Sequence, residues 1–97
     1  MSSYSDTPGD MMNLKSRWAK WSGTANEVVA EAEIVLSGTA IEPPTRRSFD
    51  NYVVKGCVSP AAGHGGFGGR QILQAIAVKV LLKDGWPLER IAEYMQS

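Results

Sequence analysis

Five of the chain's ten glycines fall within the eleven residues 59–69, SPAAGHGGFGG. Glycine loses more backbone freedom on ordering than any other residue, about 0.5–1 kcal/mol relative to alanine inside a helix or strand. No helix or long strand therefore crosses this stretch. It reads as a hairpin tip with Phe67 as its one large apolar side chain, and it separates a helical pattern before it from another after it. At 97 residues the chain makes one domain.

The pattern after the glycines is the stronger. Over 70–83, Ile72, Leu73, Ile76, Ala77, Val80 and Leu81 form a wide apolar stripe at helical spacing, and Asp84-Gly85 ends it. Trp86-Pro87 turns the chain, and Leu88, Ile91, Ala92 and Met95 give a short last helix with Pro87 at its first turn. Before the glycines, Thr24 and Glu27 have the spacing of a capping box. Val28, Val29, Ala32, Val35 and Leu36 then recur on one face, and Gly38 stops the helix. After a turn at 39–44, a second helix starts at Pro44 or Thr45 and ends at Lys55-Gly56. Phe49, Tyr52 and Val53 share its inner face, while Arg46, Arg47 and Asp50 point outward. Cys57-Val58 is expected to form a short strand leading into the hairpin. Upstream, Leu14, Trp18 and Trp21 predict a short helix over 13–22, and the polar residues 1–12 predict a flexible tail. The resulting division is tail 1–12, tryptophan-containing helix 13–22 and a domain over 23–97. The fold class is mostly α with a small β-hairpin wing, a tight-turned winged helix-turn-helix.

Net charge is zero, but the charges are segregated. Residues 43–83 carry +5, and residues 21–42 carry −4 with no base among them. A basic block that coincides with a helix-turn-helix pattern points to nucleic acid. No run of about 18 apolar residues is present, so no membrane partner is expected. The polar, acidic first ten residues predict no secretory signal, and the lone Cys57 forms no internal disulfide, so the expected location is cytoplasmic. One histidine and one cysteine make no metal site, and no catalytic set or phosphate loop is recognisable; no enzyme activity and no cofactor are expected.

The run RSFDNYVVKGCVSP at 47–60 resembles the recognition helix and exit strand of MerR-type DNA-binding domains. Those read as arginine, a short residue, an aliphatic, two variable positions, tyrosine, then glycine and two aliphatics. The run FGGRQILQAIAVKVLLKDGWPLERIA at 67–92 is similar to the family's segment after the wing, where an aromatic precedes a long apolar helix, acid-glycine-aromatic, and a Leu-x-x-Ile turn. The resemblance spans roughly 24–95. It implies double-stranded DNA as partner, with the helix over 45–55 in the major groove and the wing at 59–69 on the backbone. Thr45, Arg46 and Arg47 would then lie near base edges or phosphates, Tyr52 would send its hydroxyl to a phosphate, and Lys55, His64 and Arg70 would meet the backbone. Arginine binds guanine bidentately, which suits Arg46 and Arg47 independently of any family.

Two functions follow. The first is a DNA-binding transcriptional regulator, with an excisionase-like architectural factor as its variant. The second is a protein-interaction module on the same fold, an antitoxin or a polymerase or phage partner, gripping through Trp18 and Trp21. The glycine wing and the zero net charge favour the second; the charge segregation and the arginine-led helix favour the first. A homodimer or a protein partner through the N-terminal segment, and whether the chain is full length or a trimmed domain, stay open at this point.

Overall fold

A computed structural model describes residues 18, 20–62 and 66–96. In chain order the elements are β1 (Ser22–Gly23), α1 (Ala25–Leu36), α2 (Arg46–Lys55), β2 (Phe67–Gly68), α3 (Gly69–Lys83) and α4 (Leu88–Gln96). The described residues are mostly helical, with one small antiparallel ladder among them.

The capping box expected at Thr24 closes α1. The Thr24 hydroxyl accepts from the Glu27 amide at 3.2 Å, and the Glu27 carboxylate accepts from the Thr24 amide at 2.7 Å. Ala25, Val28, Ala32 and Leu36 then face inward. Helix α3 supplies Ile72, Ala75 and Val78, spaced to bury one face, and packs most extensively on α1. Leu73, Ile76 and Leu81 flank that face half-buried. Helix α2 contributes Phe49 and Tyr52, and α4 contributes Ile91 and Ala92. Cys57 and Val58 complete the core between them.

Three expectations are corrected. Cys57-Val58 is not a strand. Gly56 takes the left-handed conformation at φ 86°, and the amides of Cys57 and Val58 both donate to the Tyr52 carbonyl, at 2.8 and 3.2 Å. Their backbone donors close α2 and are lost to any ladder. The partner of β2 is instead β1, with Ser22 opposite Gly68 and Gly23 opposite Phe67. The hairpin expected over the glycine-rich stretch is therefore not seen as a self-contained pair, because the strand at its exit is held by residues far upstream. The link between α1 and α2 spans nine residues, longer than the three or four of a tight helix-turn-helix connection. Thr39 orders its start: its amide and hydroxyl both donate to the Leu36 carbonyl, and its hydroxyl oxygen accepts from the Ile41 amide at 3.2 Å.

Most of the expected helix over 13–22 lies outside the described residues. Its described end is not helical. A turn, with the Trp21 amide on the Trp18 carbonyl at 3.1 Å, leads into β1. Trp18 is buried, 2% exposed, and its indole N–H donates to the Glu31 carboxylate at 2.9 Å. Glycine makes this seat available. A Cβ on Gly69 would stand 2.5 Å from both the Cβ and the carbonyl oxygen of Trp18. Because one of those atoms is backbone, no rotamer change relieves the clash. Gly69→Ala is therefore expected to displace Trp18 and destabilise the fold by about 1–3 kcal/mol, despite alanine's better helix propensity. Urea unfolding followed by tryptophan fluorescence checks this: a red-shifted native spectrum and a lower midpoint are the expected result.

Candidate nucleic-acid interface

Helix α2 begins where the sequence dictates. Pro44 is buried just ahead of it, and Thr45 caps it reciprocally with Ser48. The Thr45 hydroxyl accepts from the Ser48 amide at 3.1 Å and the Ser48 hydroxyl accepts from the Thr45 amide at 2.9 Å. Thr45 thus uses its side chain to start the helix.

The inner face is consumed by packing. Phe49 is fully buried and Tyr52 is 4% exposed. Burial pushes the Tyr52 phenol above its ordinary value, opposed by a hydrogen bond with Ser48. Tyr52 is placed as a core residue whose hydroxyl is engaged at Ser48. At 100° per residue, Arg47, Asn51 and Val54 fall within an arc of about 60° opposite that inner face. All three are exposed, Val54 at 81%.

The two arginines differ. Arg46 lies to one side, with its Nε 3.0 and 3.1 Å from the carboxylate oxygens of Asp50 and its Nη1 donating to the Asn26 side chain of α1 at 3.0 Å. It neutralises Asp50 and ties α2 to α1. Arg47 makes no hydrogen bond or ion pair among the described residues. Lys55 is exposed in the last turn. The net positive charge of this outer face therefore comes from Arg47 and Lys55.

The glycine-rich loop is held by α3 from both sides. The Gln74 side chain accepts from the Ser59 amide at 2.9 Å and donates to the Ser59 hydroxyl at 3.1 Å. The Gln71 side chain accepts from the Gly68 amide at 2.9 Å and donates to the Pro60 carbonyl at 3.3 Å. The Ala62 amide meets the Gly66 carbonyl at 3.1 Å and narrows the loop. His64 lies outside the described residues. Arg70 is exposed, but it lines a groove with Trp18, Trp21, Leu73, Ala77 and Met95 and not the outer face of α2. Of the expected site residues, α2 brings Arg46, Arg47 and Lys55 together and leaves Arg70 apart. Trp18, expected as a partner contact, is core; Trp21 is half-buried at the groove.

Sequence reasoning passed over Asn51 and Val54. Their spacing from Arg47, i+4 and i+7, was the available signal. It was hidden because Val54 follows Val53 in an apolar pair and reads as core. Gln71 and Gln74 were missed for a different reason: nothing in a sequence distinguishes a loop-clamping glutamine from a solvated one.

No family model, no curated protein and no solved structure matches this chain.

Cys57 is buried behind α2, its thiol 3.5 Å from the Leu88 carbonyl. Burial pushes the thiol up, Glu89 adds to that, and Lys55 opposes it. The folded chain therefore holds this proton after the unfolded chain has begun to release it. Stability is expected to fall as pH rises through about 8.5, the range in which a free thiol ionises. Urea midpoints at pH 7.5 and 9 should drop for the wild type and drop less for Cys57→Ala.

Proposed function

We propose that the protein is a cytoplasmic DNA-binding regulator of winged helix-turn-helix type, with α2 entering the major groove. The observation that carries this is the outer face of α2. A short helix, fixed from behind by Phe49 and Tyr52, presents Arg47, Asn51, Val54 and Lys55 outward, with Asp50 neutralised by Arg46. A major groove about 12 Å wide admits one such helix. Arg47 and Lys55 supply the sequence-independent attraction to phosphates at this face, within a segment, residues 43–83, that carries +5 overall. The loop clamped by Gln71 and Gln74 lies along the backbone in this reading, with His64 as a further phosphate contact; buried Tyr52 and Arg70, which lies at the groove, are left out of it. The MerR-like pattern at 47–60 and 67–92 supports the same assignment.

A second reading has its own observation. The groove lined by Trp21, Leu73, Ala77 and Met95, with a volume of about 590 Å³, is almost entirely apolar. It suits a protein partner, and it concerns residues the DNA reading does not use.

Fluorescence anisotropy with a random-sequence duplex separates the two. The wild type should bind at low salt and weaken steeply as salt rises. Arg47→Ala should bind more weakly and reduce the slope of log K against log salt by about one. Replacing Arg46 and Asp50 together by alanine should change binding less, since the pair carries no net charge. Trp21→Ala should leave the titration unchanged. A folded wild type that binds no duplex at low salt would overturn the DNA reading and leave the groove as the functional surface.

A further inference from the structure

The outer arc of α2 holds three side chains with three different recognition chemistries. Arg47 is a bidentate donor, Asn51 is paired donor and acceptor on one amide, and Val54 is a compact apolar group. In the major groove those chemistries have distinct complements. Arginine matches the O6 and N7 acceptors of guanine, the asparagine amide matches the N7 acceptor and N6 donor of adenine, and an aliphatic group matches the 5-methyl of thymine. Their spacing along the helix fits successive base pairs. Arg47 and Asn51 are about 6 Å apart along the axis and Asn51 and Val54 about 4.5 Å. The base step is about 3.4 Å. Each residue thus meets a different pair, one or two steps from the last.

The flanking groups confine specificity to this arc. Arg46 is engaged by Asp50 and Asn26, Thr45 and Ser48 are engaged in the cap, and Lys55 is a flexible point charge in the last turn. Resting on the DNA-binding reading above, we propose that Asn51 and Val54 are the specificity-determining residues of α2. They select an adenine and a neighbouring thymine methyl, next to a guanine held by Arg47.

The test is selection of bound duplexes from a randomised pool by the full chain, followed by anisotropy on the selected site. The wild type should enrich a guanine, an adenine and a thymine in adjacent or near-adjacent positions. Asn51→Ala should lose about tenfold in discrimination at the adenine while keeping the wild-type salt slope. Replacing the selected thymine by uracil, which lacks only the methyl, should weaken the wild type several-fold and weaken Val54→Ala distinctly less. Both residues are exposed, so circular dichroism should show unchanged folds, and the uracil arm needs no variant. Salt-dependent binding with no base preference, or with the same preference in Asn51→Ala and Val54→Ala, would overturn this inference while leaving the DNA-binding reading intact. Absence of any duplex binding by the wild type would overturn both.

Discussion

Phe49 and Phe67 meet edge to face, with ring centroids 5.1 Å apart and planes at 75°. This T-shaped pair adds about 0.5–1.5 kcal/mol beyond the area it buries. Its larger effect is positional. Phe49 carries the inner face of α2, and Phe67 stands on β2 at the exit of the glycine-rich loop. Two residues further on, Gly69 opens α3 and makes room for Trp18. One contact thus joins the candidate recognition helix, the loop, the start of the longest helix and the N-terminal turn. Any tilt of α2 would have to move all four.

The elements legible in the sequence are those specified within a few residues. The capping box at Thr24 and the helix end at Gly56 depend on neighbours, so the letters suffice. So does the stripe of α3, though its centre is shifted: Ile72, Ala75 and Val78 are fully buried and Val80 is exposed, because a stripe this wide does not specify which side of it meets α1. The ladder was illegible for the opposite reason. Two residues per strand have no period, and Ser22-Gly23 carries no strand propensity. Cys57-Val58 has the better strand composition, yet its amides are drawn to Tyr52 by the left-handed Gly56. Trp18 and Trp21 misled through spacing, since residues three apart also come together in a single turn. At the candidate site, the arginines were legible as chemistry. Their unequal engagement was not, because Asn26, which separates them, comes from another helix.

Charge is distributed by the same logic of prior engagement. The −4 stretch at 21–42 is not simply an acidic surface. Glu27 closes the cap of α1, and Glu31 accepts the indole of Trp18. Two of its four acids are therefore tied to structure, which weakens the case for α1 as an acidic docking helix. On α2 the exposed Arg46–Asp50 pair contributes little to stability, since surface pairs are worth about 0–1 kcal/mol. Its consequence is electrostatic. It keeps a carboxylate from opposing the positive charge that Arg47 and Lys55 give the outer face of α2.

Val54 closes the argument about that face. A lone exposed valine needs no explanation on most surfaces, because much of any folded surface is apolar. Here its position in the arc changes the reading. A β-branched residue in a helix gives up side-chain freedom, and at 81% exposure Val54 recovers little of that through burial. Its neighbour Val53 is packed against the core, so the pair shows the same side chain in two different roles one residue apart. Beside Arg47 and Asn51, which likewise have no bonded partner among the described residues, Val54 completes a surface whose chemistry the described fold leaves unused and which the proposed reading pairs with the edges of base pairs.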